Sequence, residues 1–170
     1  QGLAIAGAAY EHALKYAQER VQGQGKTIIN YPDVRRMLMM QKAYVEGLRA
    51  LIYHAGFYVD LAEHHPDPAQ REYYQGFADL LTPMCKAFGS DMGFRVTELA
   101  MQTYGGYGYI SEYPVEQYMR DVKISSLYEG TNGIQAMDLL GRKLALRGGQ
   151  VFLQFYAMVD GFVTKNQEEP

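Results

Sequence analysis

The run from Val34 to Ala62 constrains the fold most. Val34, Leu38, Gln41, Val45, Leu48, Ile52, Ala55, Val59 and Ala62 fall at alternating spacings of four and three. Side chains at those intervals share one stripe of an α-helix. A stripe that keeps this rhythm is the seam of a helix packed nearly parallel or antiparallel to its neighbours in a bundle. The helix is expected to start near Pro32 or Asp33 and to stop at "HHPDP", because proline cannot continue it.

A seam needs partners, and the rest of the chain offers them. Residues 3 to 20 are Ala-rich, with Leu3, Ala6, Ala9, Tyr10, Ala13, Leu14 and Ala17 on one stripe, and Gly23 and Gly25 are expected to stop that helix. A shorter helical piece is expected from about Ala69 to Leu81. Thr82-Pro83 then reads as an N-cap with proline at the first helical position. The alternative is one long helix kinked at Pro83. Met84, Phe88, Met92, Val96 and Leu99 carry the stripe towards Thr103. The texture changes at "YGGYGYISEYP", a glycine and tyrosine loop. Six of the fifteen tyrosines lie between Tyr104 and Tyr128. A final helix is expected from an N-cap at Thr131 to about Leu146. "RGGQ" interrupts it, and "VFLQFYAMVDGFV" restarts an apolar pattern. No strand of consequence, internal repeat or low-complexity segment is expected. The pattern reads as all-α, an up-and-down four-helix bundle.

Hydrophobic residues make up 48% of the 170 and charged residues 21%, enough to bury a core. The net charge of -3 argues against a nucleic-acid face, which would be basic. No apolar run approaches the roughly 18 residues of a membrane span, and no signal segment opens the chain. A single cysteine, Cys85, forms no internal disulfide and points to a reducing, cytoplasmic setting. The chain lacks an initiator Met, and Gln1 already lies in a helical pattern, so an excised piece of a longer protein is expected.

Several local clusters have plain structural readings. Adjacent His64 and His65 diverge on a helix and make poor metal geometry, so "EHHPD" reads as a solvated helix end. Cys85, among Met84, Ala87 and Phe88, reads as a buried structural thiol. Met37, Met39 and Met40 read as core filler. The glycines of "GGYG" could cradle a phosphate, but a loop between helices also wants glycine. Arg20 near a helix C-terminus would ordinarily complement the helix dipole. Glu129 in "LYEGTNGIQ" sits just before a helix N-terminus, which mildly favours a carboxylate. It is also flanked by Ile124, Leu127 and Tyr128. Desolvation by such neighbours would raise its proton affinity into the range of a general base. Spacing alone leaves both readings open.

The run "QTYGGYGYISEYPVEQYMRDVKISSLYEGTNGIQ", 102 to 135, closely resembles the C-terminal helical domain of acyl-CoA dehydrogenases. The likeness extends back through "KYAQERVQGQGKTIINYPDVRRML" and forward to "LLGRKL", covering residues 1 to 147. The family consists of FAD enzymes that introduce a trans-2,3 double bond into acyl-CoA thioesters, as in fatty acid β-oxidation. The resemblance implies that Glu129 is the catalytic base, taking the α-proton while the β-hydride leaves to the flavin N5. It implies that Tyr128 and Gly130 line the substrate pocket. Thr131, Asn132 and Gly133 would contact FAD from the helix start. Arg20 would reach the FAD pyrophosphate of a neighbouring subunit, with Gln102, Gly105 and Gly106 on the same cofactor. A homodimer or homotetramer, with electron-transferring flavoprotein as acceptor, is implied too.

Some positions depart from the family pattern. Where many relatives have Arg-Lys-x-Phe-Gly, this chain has "RVQGQG", without the phenylalanine and about one residue longer, so no flavin-facing aromatic is carried over. Pro32 stands where relatives often have glutamine. The stretch from Ala62 to Thr82 is longer than in short- and medium-chain members and resembles the longer bacterial branch. Residues 148–170 would then be the truncated start of an additional C-terminal helical segment. Branches acting on isovaleryl or very long substrates lack glutamate in the "YEGT" position, and this chain has it. An acyl-CoA oxidase, a DNA-repair-associated relative or a non-catalytic oligomerisation module of the same fold are the alternatives.

Overall fold

The computed structural model describes residues 1–167. Its elements in order are α1 (Gly2–Glu19), β1 (Val21–Gln22), β2 (Lys26–Thr27), α2 (Pro32–His64), α3 (Pro68–Tyr104), α4 (Val115–Lys123), α5 (Asn132–Asp138) and α6 (Gln150–Asn166). The all-α expectation holds among the described residues, apart from β1 and β2, which pair antiparallel as a hairpin of two residues per strand. The chain divides into two units, residues 1–51 with 86–132 and residues 52–85 with 133 onward.

In the first unit, α1 buries Ala6, Ala9, Ala13 and Ala17 completely. These join Leu38, Val45, Val96, Ala100, Tyr104 and Val115 in one core. Small side chains bring helix backbones close. A Cβ on Gly2 would stand 2.3 Å from the Gly89 carbonyl oxygen, and one on Gly93 would stand 3.1 Å from that of Gly2. The α2 seam is buried here at Leu38, Gln41, Val45 and Leu48. Met37 is buried, but Met39 is 71% exposed, because it lies off the stripe; it is not core filler. The first helix stops at Glu19, ahead of the glycines, where Arg20 turns extended. Gly23 and Gly25 take positive φ in the hairpin turn instead, and the Tyr31 hydroxyl clasps it by donating to the Gln22 carbonyl at 2.8 Å.

In the second unit, Phe77, Leu80, Leu81 and Val151 are almost fully buried, and Phe77 meets the rings of Tyr58, Tyr73 and Phe155. The seam weakens over this part of α2, where Ile52, Ala55 and Ala62 are only half-buried. Val59 is exposed while Tyr58, one position before it, is buried. The expected break at Thr82-Pro83 is absent, and α3 runs through Pro83. Thr82 Oγ donates to the Ala78 carbonyl at 2.7 Å, the bond of a helix-interior threonine rather than a cap. An interior proline costs about 3 kcal/mol. Burial of Phe77, Ala78, Leu80 and Leu81 before it, and of Pro83 itself, offsets that. The real cap lies upstream, where Asp67 Oδ1 accepts from the Ala69 N–H at 2.9 Å and Pro68 takes the first helical position.

The last expected helix is shorter than to Leu146. After α5 the coil widens to a π-turn over Leu139–Lys143, closed by Leu144 N–H to the Leu139 carbonyl. Arg147, Gly148 and Gly149 then take left-handed conformations and reverse the chain into α6. The non-glycine member is held by its guanidinium, which donates to the Glu72 carbonyl at 2.7 Å.

Candidate functional site

Two adjoining clefts open in the first unit, with volumes of about 410 and 390 Å³. Tyr16, Gln22, Tyr104 and Gly105 line both. Gln102 completes the first, and Arg20, Gly106 and Tyr107 the second. Arg20, Gln102, Gly105 and Gly106, some eighty residues apart in the chain, are thus brought together around one surface. Tyr16 and Tyr104 form its wall, stacked with centroids 3.9 Å apart, an arrangement worth about 0.5–1.5 kcal/mol beyond buried area. Burial pushes both phenols above their ordinary range, with the Arg20 charge partly opposing this at Tyr16, so both stay protonated at neutral pH.

Arg20 is fixed at both ends of its backbone. Its N–H donates to the Tyr16 carbonyl and its carbonyl accepts from Ile28, each at 2.8 Å. The guanidinium lies 4.9 Å over the Tyr107 ring. Its Nε is buried and has no hydrogen-bond partner among the described residues. Gly105 takes φ +62, which suits glycine, and no atom lies within 4 Å of where a Cβ of Gly105 or Gly106 would be. An acceptor could therefore approach the backbone there.

Residues 128 to 133 line neither cleft; they form the turn into α5. Leu127 and Tyr128 N–H groups donate to the Ile124 carbonyl at 2.9 and 3.1 Å. Glu129 then takes φ 55 and Gly130 φ 83. The expected desolvation of Glu129 is not present, since the residue is exposed and Ile124 and Leu127 are themselves 51% and 55% exposed. Helix α5 begins at Asn132, as the expected cap at Thr131 requires, and Thr131 and Gly133 are exposed.

Spacing gave no sign of what surrounds Asn132. Its Oδ1 accepts from Lys86 Nζ at 2.9 Å. Its Nδ2 donates to Asp91 Oδ1 at 2.7 Å and to Ser90 Oγ at 2.9 Å. Ser90 in turn gives its proton to the Ala87 carbonyl at 3.0 Å. Both ends of the Asn132 amide are engaged by α3. Lys86, Ser90 and Asp91 escaped the sequence reading because their partner lies more than forty positions away. Their i, i+4 and i, i+5 placement on one helix is an ordinary surface pattern. Cys85 is half-buried with its thiol pushed up by burial, in keeping with a structural role. No cluster of metal-binding side chains and no helix long and apolar enough to cross a membrane occur among the described residues.

Residues 1–144 match the acyl-CoA dehydrogenase C-terminal domain, and the chain belongs to that family. It is 43% identical to a butyryl-CoA dehydrogenase of Syntrophomonas wolfei over 95% of its own length and 28% of the relative's. It is 44% identical to the 3-methylmercaptopropionyl-CoA dehydrogenase of Ruegeria pomeroyi, covering 94% and 28%. The solved butyryl-CoA dehydrogenase of Megasphaera elsdenii superposes with a TM-score of 0.68 at 36% identity, covering 82% of this chain and 33% of that one. The chain spans less than a third of the length of the curated relatives it matches.

Proposed function

We propose that this chain is the C-terminal domain of an FAD-dependent acyl-CoA dehydrogenase that acts on acyl-CoA thioesters in fatty acid oxidation, with Glu129 as its general base. The observation that carries the reading is the backbone of Glu129. A non-glycine residue at φ 55 stores strain, and such strain gathers at functional sites. A carboxylate is presented there beside Tyr128 and Gly130. The carboxylate takes the α-proton of the thioester, and the bound acyl chain supplies the desolvation that this turn lacks by itself.

FAD fits the residues present. The buried, acceptor-less Nε of Arg20 and the open backbone at Gly105 and Gly106 suit a pyrophosphate. Gln102 lines the adjoining cleft, and Thr131 and Gly133 stand at the start of α5. When bound, the cofactor supplies the acceptor for the β-hydrogen and its electron pair. The separation of the Arg20 clefts from the Glu129 turn supports a cofactor shared between subunits, hence a homodimer or homotetramer. Electron-transferring flavoprotein is the proposed onward acceptor, and a reducing cytoplasm the proposed setting. Residues 1–147 form the bundle in this reading, and 148–170, of which 168–170 lie outside the described residues, begin a further segment. Residues 1–170 alone should be colourless and inactive. One wall of a cofactor site forfeits most contacts, while the cost of capture, about 4 kcal/mol or more, remains.

The test is Glu129→Gln in the full-length parent. FAD content and acyl-CoA binding should persist, while flavin reduction falls by about 10² to 10⁴. Ordinary reduction in that variant would place the base elsewhere.

A further inference from the structure

We infer that Asn132 is a positioning residue for Glu129, and that Lys86, Ser90 and Asp91 of α3 act through its amide; the inference rests on the reading of Glu129 as the base. Two consecutive left-handed residues, Glu129 and Gly130, set the direction in which the carboxylate leaves the chain. A strained non-glycine conformation persists only where its surroundings over-determine it. On the upstream side, Leu127 and Tyr128 are tied to the Ile124 carbonyl, and the next residue, Ser125, is buried and bonded to Val122. On the downstream side, three peptide units beyond Glu129, the Asn132 amide is tied to α3 by the bonds from Lys86, to Asp91 and to Ser90. A span of three residues reaches about 10 Å at most, so a fixed Asn132 leaves the strained pair little room.

The amide orientation follows from chemistry. Lysine can only donate and an ionised aspartate can only accept, so Oδ1 must face Lys86 and Nδ2 must face Asp91. Ser90, 3% exposed, closes the cluster from below. An amide with a charged partner at each end is held more firmly than one at a solvated helix start. Both ends of the amide are already bonded within the chain. A helix-end tie would account for the bonds but predicts no effect on chemistry once the fold is intact.

The experiment uses the full-length holoenzyme and the saturated acyl-CoA that reduces wild-type flavin fastest. Asn132→Ala, Ser90→Ala, Asn132→Asp, the reciprocal pair Asn132→Asp with Asp91→Asn, and Glu129→Gln are compared for FAD stoichiometry, Tm, KM and single-turnover flavin reduction. Asn132→Ala should keep FAD and KM and slow reduction by about 10- to 100-fold, the penalty of displacing a reacting group by an ångström or so. Asn132→Asp should also be slow, since it faces the Asp91 carboxylate. The reciprocal pair restores a donor opposite an acceptor and should recover most of the loss. If Asn132→Ala does not fold, Ser90→Ala carries the comparison, with a smaller slowing at unchanged FAD content. Wild-type reduction rates in the folded variants, loss of FAD from Asn132→Ala, or a reciprocal pair no faster than Asn132→Asp would each overturn the positioning role. Wild-type reduction in Glu129→Gln would instead overturn the assignment of the base.

Discussion

The two units of the chain solve burial in opposite ways. The first is closed by small residues. Four alanines on α1 and glycines at 2 and 93 let backbones meet, and most of the fully buried apolar residues belong to it. The second is built on a few aromatic rings around Phe77 and keeps most of the exposed large apolar side chains. On α6, Phe152, Tyr156, Val159 and Val163 repeat at spacings of four, three and four, and all are exposed; Ile134, Met137 and Leu140 of α5 and its π-turn are too. Contiguous apolar surface of this kind on a soluble domain marks a place of contact. The difference teaches that the first unit buries its apolar residues more fully, whereas the second has more apolar surface than its own residues cover.

The largest effect should come from truncation in the second unit. Phe77→Ala removes the ring that Tyr58, Tyr73 and Phe155 share and should cost about 3–5 kcal/mol in denaturant melts. A cost below about 1 kcal/mol would mean that the ring cluster is not that unit's core. Enlargement should hurt the first unit instead. Ala9→Leu, at a fully buried helix contact, should cost about 1–3 kcal/mol by overpacking. Neutrality there would show that the alanine contact has slack and would erase the contrast. The smallest effect on stability should be Phe162→Ser, within about 0.5 kcal/mol, because the ring is exposed. Yet it should weaken self-association of residues 1–170 as seen by light scattering. Unchanged association would separate the exposed stripe from any contact role.

The sequence carried the first unit further than the second. The α2 stripe is buried from Leu38 to Leu48, where α1 and α3 supply side chains, and loses its phase near Tyr58, where a ring cluster decides what faces inward. A periodic pattern states which residues share a face; it does not state how far along the helix a partner continues. The same proline signature was read at Thr82-Pro83 and realised at Asp67-Pro68, because burial of Pro83 and of the turn before it outweighs a local breaker. At the candidate site, the position of Glu129 was legible from its motif, and the gathering of Arg20 with Gln102, Gly105 and Gly106 followed from the resemblance. The left-handed backbone at Glu129, its exposure and the α3 clamp on Asn132 were not legible. They depend on φ angles and on partners more than forty residues away, which no local spacing encodes.

The close approach of Gly2 to Gly89 bears on a residue far from it. Helix α1 has 18 residues, a rod about 27 Å long. At one end, two backbones touch where any side chain would intrude; at the other stands Arg20 above Tyr107. Sliding the rod by one residue, about 1.5 Å, would carry Gln1 or Leu3 towards a notch shaped for glycine. The glycine therefore acts as an index pin that sets how far α1 extends, and with it the height at which Arg20 stands over the two clefts. A methyl group added at Gly2 would be felt first as a misplaced guanidinium, at the opposite end of the helix from the change.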